Sequence, residues 1–306
     1  MKILVTGAMG FVGQNLTKLN HNFRCVVREG EKHSFSDSYV VSTINASTDW
    51  SDCFLGINAI IHLAGLAHSK SHADEDFRSV NTDGTLTLAR RAAESGVKRF
   101  VFVSSIGVNG EASSGKPFST HSAAKPHNSY ALSKYEAELG LKEISKQTGL
   151  EVVIVRPTLV YGPEAPGSFG MLTKLISTLP FLPFGLANNR RDFIAVQNLT
   201  DLLIVCASHP DAAGHTFLVS DDETVSIKLF TNAIAESLGK RVLQLPIPVS
   251  LMKLAGRITG KSKMIDQLYG NLEVDSSNVT KVLGWKPPYS MKQAMANLRD
   301  SGDKSK

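Results

Sequence analysis

Lys2-Ile-Leu-Val-Thr-Gly-Ala-Met-Gly-Phe-Val-Gly13 decides the fold: an apolar, β-branched run passes without a break into three glycines and then into a helical pattern. A strand that ends in Gly7, Gly10 and Gly13 and opens a helix is the arrangement in which backbone can approach a pyrophosphate resting on the first helical turn. Gly7, Gly10, Phe11, Val12 and Gly13 are therefore candidate cofactor-binding residues. The same reading asks for a ribose-binding group near the end of the next strand, roughly 20 residues on. That place reads Val26-Val-Arg28-Glu29. Arg28 can pair with a 2′-phosphate while Glu29 repels one and can hold the ribose hydroxyls, so NAD and NADP both fit, with NADP slightly favoured.

Outward from this stretch, short β-branched runs alternate with helical patterns, which predicts βαβ units and a parallel sheet. The expected strands are Ile3 to Thr6, Arg24 to Arg28, Tyr39 to Ile44, Ala59 to Leu63, Phe100 to Ser104 and Val152 to Arg156; the clearest helices are Asp76 to Ser95 and Ser129 to Thr148. After Arg156, five prolines between Pro157 and Pro183 break the alternation and mark a second, smaller lobe. Further on, Phe193 to Val196 and Thr216 to Val219 read as strands, Asn198 to Ser208 as a helix, and Ser226 to Leu238 as a helix with Ser226 as its N-cap. The expected fold is an α/β, doubly wound parallel sheet of Rossmann type with a smaller C-terminal substrate lobe. Its divisions are 1–162 for NAD(P) binding and 163–306 mainly for substrate, with about 191–215 returning to the first domain. The polar tail after Arg299 reads as frayed.

Composition narrows the function. The 306 residues carry a net charge of +5, but the basic residues are scattered and no run of five occurs, so no nucleic-acid partner is expected. Cys25, Cys53 and Cys206 are far apart and in no metal or disulfide spacing, which fits a cytoplasmic protein. No stretch approaches the ~20 apolar residues of a membrane span, and no membrane partner is expected. His68 and His72 stand four apart, but no third ligand accompanies them, so no metal is expected.

Tyr130 and Lys134, in Ser129-Tyr-Ala-Leu-Ser-Lys134, are four apart and share a helix face. A phenol titrating near ~10 needs a depression of about 3 units to exchange protons near neutrality, and a neighbouring ammonium is the expected cause.

The chain resembles the extended short-chain dehydrogenase/reductase family, best known for nucleotide-sugar epimerases, dehydratases and reductases. The resemblance runs over nearly the whole length. It rests on the glycine stretch above, His62-Leu-Ala-Gly65, Asn81-Thr-Asp-Gly-Thr85, Ser104-Ser105, Tyr130 with Lys134, Arg156-Pro-Thr-Leu-Val-Tyr-Gly-Pro163, Arg191-Asp-Phe-Ile-Ala-Val196 and Leu283-Gly-Trp-Lys-Pro287. By position it implies a catalytic set of Ser105, Tyr130 and Lys134. The serine would bond the reacting sugar oxygen, the tyrosine act as acid or base on it, and the lysine hold the nicotinamide ribose. It implies that Leu63, Ala64, Gly65, Lys134 and Pro157 line the cofactor and that Ser105, Tyr130, Thr158 and Arg191 meet the substrate. Arg191 would hold its diphosphate, with Arg190 or an Arg191–Asp192 pair as the other readings. Segments 168–179 and 258–266 would help to enclose the nucleotide.

The implied activity is hydride transfer at sugar C4. Two enzymes fit: a UDP-sugar 4-epimerase, and a 4-ketoreductase like bacterial enzymes that reduce UDP-4-keto-6-deoxy-N-acetylglucosamine. Arg28 leans toward the reductase, since a consumed reductant is commonly NADPH. A non-catalytic, dinucleotide-sensing relative is the alternative class, and the retained Tyr130–Lys134 pair argues against it. Asn109 stands where the family often has tyrosine, which predicts an altered substrate wall, and Asn45 stands where an aspartate often meets the adenine. Glu136 and Glu138 read as surface charges. A homodimer through the helices at 76–95 and 129–148 is expected from the resemblance.

Overall fold

A computed structural model describes residues 1–67, 73–296 and 298. His68, His72 and the tail after Arg299 fall outside the described residues. The first half alternates β1 (Lys2–Thr6), α1 (Phe11–Leu16), β2 (Asn22–Arg28), β3 (Ser38–Val41), β4 (Ala59–His62), α2 (Asp74–Phe77), a π-helical stretch (Arg78–Gly84), α3 (Thr85–Glu94), β5 (Arg99–Val103), α4 (Ser129–Thr148) and β6 (Glu151–Pro157). Then follow β7 (Leu159–Tyr161), α5 (Gly167–Thr178), β8 (Phe181–Leu182), β9 (Phe193–Ala195), α6 (Val196–Ser208), β10 (Thr216–Val219), α7 (Ile227–Ser237), β11 (Leu243–Gln244), α8 (Val249–Ile258), α9 (Ser262–Tyr269), α10 (Ser277–Leu283) and α11 (Met291–Ala296).

Seven strands pair in parallel in the order β10-β6-β5-β4-β1-β2-β3, with the first strand near the middle and the chain wound both ways from it. Strands buried on both faces need apolar residues throughout, and β1, β4, β5 and β6 supply them: Ile3, Leu4, Ile60, Ile61, Phe100, Val101 and Val153 are fully buried. One face packs on α6 through Leu199, Leu202 and Leu203; the other packs on α3 and α4 through Leu88, Ala92, Ala137 and Leu141. The chain thus re-enters the main sheet at α6 and β10. It does so again, unforeseen in the sequence, at 279–285, where Val279, Leu283 and Trp285 join the first face and the Trp285 indole N–H donates to Asp201 at 2.7 Å.

A third core sits in the C-terminal part, with Tyr161, Phe169, Phe193 and Phe230 in ring contact at its centre and Phe193 stacked on Phe230. There Asp221 accepts the Tyr161 hydroxyl at 2.7 Å, the Asn198 amide at 2.7 Å and the Ala195 N–H. The expected long helix at 76–95 is instead α2, a π-helical stretch and α3 in series, and the wider π turn turns Asn81 and Thr82 inward. Helix α4 has its expected bounds because both ends are capped: Asn128 Oδ1 accepts from Ala131 N at 2.8 Å, and Gly149 takes the left-handed conformation at φ 75°. Ser226 caps α7 as expected, accepting from Leu229 N.

Candidate active site

The glycine loop is shaped by contacts no other residue permits. Gly7 has φ +71°, and a Cβ there would stand 2.7 Å from Ala64 N; at Gly13 a Cβ would stand 2.2 Å from the Gly7 carbonyl oxygen. The loop therefore presses directly on Leu63–Gly65, which leaves β4 beside it. Phe11 and Val12 form the first turn of α1, and Phe11 packs against the third core.

Beneath the loop runs one chain of buried hydrogen bonds. Thr85 Oγ donates to the Asn81 carbonyl at 2.7 Å, so its lone pair must accept from His62 Nε2 at 2.8 Å; His62 Nδ1 then accepts from Thr6 Oγ at 2.6 Å, and Thr6 Oγ from Ala64 N at 3.2 Å. This fixes the imidazole as the Nε2–H tautomer. Burial, together with the charge of Lys134, pushes His62 down to about 3, so it stays neutral. Asn81 extends the scaffold: its Oδ1 accepts from Leu66 N at 2.7 Å and its amide donates to Ser133 Oγ at 3.0 Å, tying the loop to α4.

Ser105 lies at the end of β5, where its Oγ accepts from Gly107 N at 3.0 Å and caps a 3₁₀ turn at 106–108. The same hydroxyl is hydrogen-bonded to the Tyr130 phenol. Burial pushes the Tyr130 phenol above its ordinary value, and the Ser105 bond pulls it back. The expected depression by Lys134 is not found in the protein alone. The lysine's Nζ donates instead to the Val103 carbonyl at 3.1 Å and lies 4.7 Å from the centre of the Phe102 ring. Lys134 is 3% exposed, and burial pushes its ammonium down to about 8 against the raising effect of Glu138. A Cβ on Gly65 would stand 3.1 Å from Lys134 Nζ and 2.8 Å from Asn81 Oδ1, so cofactor loop and lysine share one wall.

Glu138, read as a surface charge, is fully buried. It accepts from Ser104 Oγ at 2.5 Å and makes a two-pronged pair with Arg156 at 2.9 and 2.5 Å; Arg156 also donates to Asn109 Oδ1 at 2.9 Å. Asn109 is 1% exposed and belongs to this buried network. Two signals were available in the sequence: Glu138 follows Lys134 by one turn on the same face, and Arg156 ends an apolar strand that would otherwise bury it unpaired. Glu136 does face solvent in part, near Arg78.

The remaining predicted residues are placed differently. Arg28 is exposed and its guanidinium is held by Glu31 Oε1 at 3.0 and 2.9 Å, while Glu31 Oε2 accepts the Arg28 N–H. Pro157 ends β6 and is buried. The Thr158 hydroxyl donates inward to the Val219 carbonyl at 3.2 Å. Asn45 is taken up by its own turn, accepting from Ser47 N. Arg191 is not paired with Asp192, whose carboxylate accepts from Thr224 Oγ and Val274 N; its Nη1 donates to the carbonyls of Gln267 at 2.5 Å and Gly270 at 3.1 Å, beside the end of α9. Arg190 is engaged by Glu273 at 2.7 Å. The three cysteines are buried free thiols.

Comparison with known proteins matches this site-bearing part of the chain to one family. The pattern of the NAD dependent epimerase/dehydratase family covers residues 3–220. A UDP-glucose 4-epimerase from Vibrio cholerae is 41% identical over 302 residues, 95% of this chain and 92% of that one. Among solved structures, a UDP-glucose 4-epimerase from Thermotoga maritima with UDP-glucose has the same fold, with a TM-score of 0.78 at 19% identity over 100% of this chain and 99% of that one. The Bordetella bronchiseptica enzyme WbmG in complex with NAD has a TM-score of 0.75 at 20% identity, covering 100% and 94%. With a match over more than two thirds of its length and a relative of that identity along nearly all of it, the chain belongs to the NAD dependent epimerase/dehydratase family.

Proposed function

We propose that the protein is a nucleotide-sugar 4-epimerase that works with NAD and moves the proton of the sugar 4-hydroxyl through Tyr130. The observation that carries this reading is the Ser105–Tyr130 hydrogen bond set beside the buried Lys134, against the loop built from Gly7, Gly13 and Gly65. The cradle fits a dinucleotide: three positions where a Cβ would collide leave bare backbone for a diphosphate, and Lys134 Nζ sits where a ribose hydroxyl would join the Val103 carbonyl around it. Bound nicotinamide supplies the hydride acceptor and donor.

In this reading, Ser105 and Tyr130 grip the oxygen on sugar C4. Tyr130 takes its proton as the carbon is oxidised and returns it after the keto sugar has turned its other face. Lys134, positive below about pH 8, favours the phenolate when the phenol gives up its proton. Arg191, partly buried with its fork toward the end of α9, holds the diphosphate of the substrate. The 41% identity to a UDP-glucose 4-epimerase supports a UDP-sugar as substrate. The alternative of a 4-ketoreductase leaned on Arg28 as a 2′-phosphate ligand; that guanidinium is already bridged to Glu31, which supports NAD over NADP. Residues 1–162 with α6 and β10 form the cofactor domain in this account, and the rest mainly the substrate lobe. A homodimer through α3 and α4 is supported by Leu132 and Leu139, which are exposed one above the other on α4.

Tyr130→Phe tests the assignment. Interconversion of UDP-galactose and UDP-glucose should fall by about 10²–10⁴-fold, the usual contribution of a positioned acid–base group. NAD affinity, measured by calorimetry, should stay within about twofold. Full turnover in this variant would remove Tyr130 from the reaction.

A further inference from the structure

The charge of the molecule is not spread as its composition suggests. From Gly239 to Ile265 there are six basic residues and no acidic one, against a net charge of +5 for the whole chain, so this segment accounts for the excess and the rest is close to neutral. It contains β11 and α8 and reaches into α9. The segment paired to it, from Ala165 to Arg191, is also free of Asp and Glu. The two join where β11 pairs with β8, Leu243 opposite Phe181.

The same region is where apolar side chains are left uncovered. On α8, Leu251, Leu254 and Ile258 are 54%, 52% and 78% exposed, and their i, i+3, i+7 spacing puts them on one stripe. The paired Phe181 and Leu243 are 49% and 65% exposed. Helix α8 is held through its small residue: Gly256 is buried, and a Cβ there would stand 2.9 Å from Ile265 of α9. About half or more of each side chain on the stripe is thus left uncovered by the fold. Lys253, Arg257, Lys261 and Lys263 are exposed around it, and Lys253 lies 3.7 Å from Asp266.

We infer that the α8–α9 hairpin is a docking surface for an anionic phospholipid bilayer. An exposed apolar stripe on a helix ringed by cations is the chemistry of an element that lies in the interface plane, leucines among the acyl chains and cations at the headgroups. An acidic protein groove would match the charge, but a bilayer matches both the charge and the exposed apolar stripe. This differs from spanning: no helix of the described residues is long and apolar enough to cross a membrane. Because Arg191 bonds the carbonyls of Gln267 and Gly270 at the far end of α9, docking would hold the edge of the proposed substrate site next to the lipid surface. The inference does not depend on which sugar is turned over.

The test is co-sedimentation of the full chain with sucrose-loaded vesicles, one set of pure phosphatidylcholine and one containing phosphatidylglycerol. Wild type should bind the anionic vesicles and release from them as salt rises. Leu251→Ser/Leu254→Ser should abolish the binding. Lys253→Glu/Arg257→Glu should weaken it by about 25-fold or more, since each interfacial cation contributes about fivefold. Both variants should keep the wild-type turnover of soluble UDP-sugar, which also reports that they are folded. Absent binding to anionic vesicles at low salt, equal binding to both vesicle types, or wild-type binding by the charge-reversed variant would each overturn the inference. A concentration-dependent dimer in sedimentation velocity that the serine variant abolishes would overturn it too, by assigning the stripe to a second copy.

Discussion

At the residue scale, two glycines with similar backbone angles separate conformational strain from steric contact. Gly7 and Gly30 have φ +71° and +81°, but only Gly7 faces neighbouring backbone, with Ala64 N 2.7 Å from an added Cβ; around Gly30 nothing lies within 4 Å. Alanine at either position carries the left-handed penalty of about 1–2 kcal/mol. Gly7→Ala must also displace Leu63 and Ala64, an overpacking cost of about 1–3 kcal/mol more. Urea denaturation of the two variants should show that difference and, in Gly7→Ala, weakened NAD binding. Equal destabilisation would mean that the close approach of loop and β4 end is not rigid. Tyr130, Lys134 and Ser105 were legible in the sequence as residues, but not their mutual geometry: the phenol is raised by burial, and the lysine donates to the Val103 carbonyl.

At the element scale, α4 carries the proposed catalytic pair and is also a core helix. Lys134 and Glu138, one turn apart, face the sheet, and Glu138 holds Arg156 of β6 and Ser104, the residue after β5, together at the strand ends next to Ser105. Glu138→Ala leaves the Arg156 guanidinium buried without a countercharge, which should destabilise the protein by about 3–5 kcal/mol. Glu138→Leu combined with Arg156→Met should recover most of that loss, because removing both charges removes the desolvation problem as well. Additive losses in the double variant, read by urea titration, would show that the pair is not coupled. The strands were readable because parallel strands buried on both faces are apolar throughout, and the caps Asn128, Gly149 and Ser226 mark helix ends by local chemistry. The π-helical stretch and the Glu138–Arg156 pair were not. Both are set by tertiary contact: Asn81 turns inward to bond Leu66 and Ser133, and a charge can be buried only where a distant strand brings its partner.

For the whole molecule, the buried His62 links stability to pH. Its folded-state pKa is pushed down to about 3, below the unfolded value near ~6.5, so its contribution is complete above about pH 6.5 and lost as pH falls toward 3. The loss should be about 1.4 kcal/mol per pH unit, or about 2 kcal/mol between pH 6.5 and 5. Urea titrations at those two values should show it in wild type and not in His62→Gln; parallel losses in both proteins would assign the acid limb to other groups. The order of the strands and the return of the chain at α6 and β10 set the glycine loop, Ser105 and Lys134 by the strand ends, and the proposed function stands on what these residues do there. Purified protein is mixed with UDP-galactose and catalytic NAD, and sugar products and absorbance at the reduced-nicotinamide band are followed together. A 4-epimerase brings UDP-glucose and UDP-galactose to one equilibrium mixture from either side with no net change in reduced nicotinamide, and that is the expected result. Stoichiometric loss of NADPH with a UDP-4-keto-6-deoxy sugar, and no interconversion of the UDP-hexoses, would contradict it.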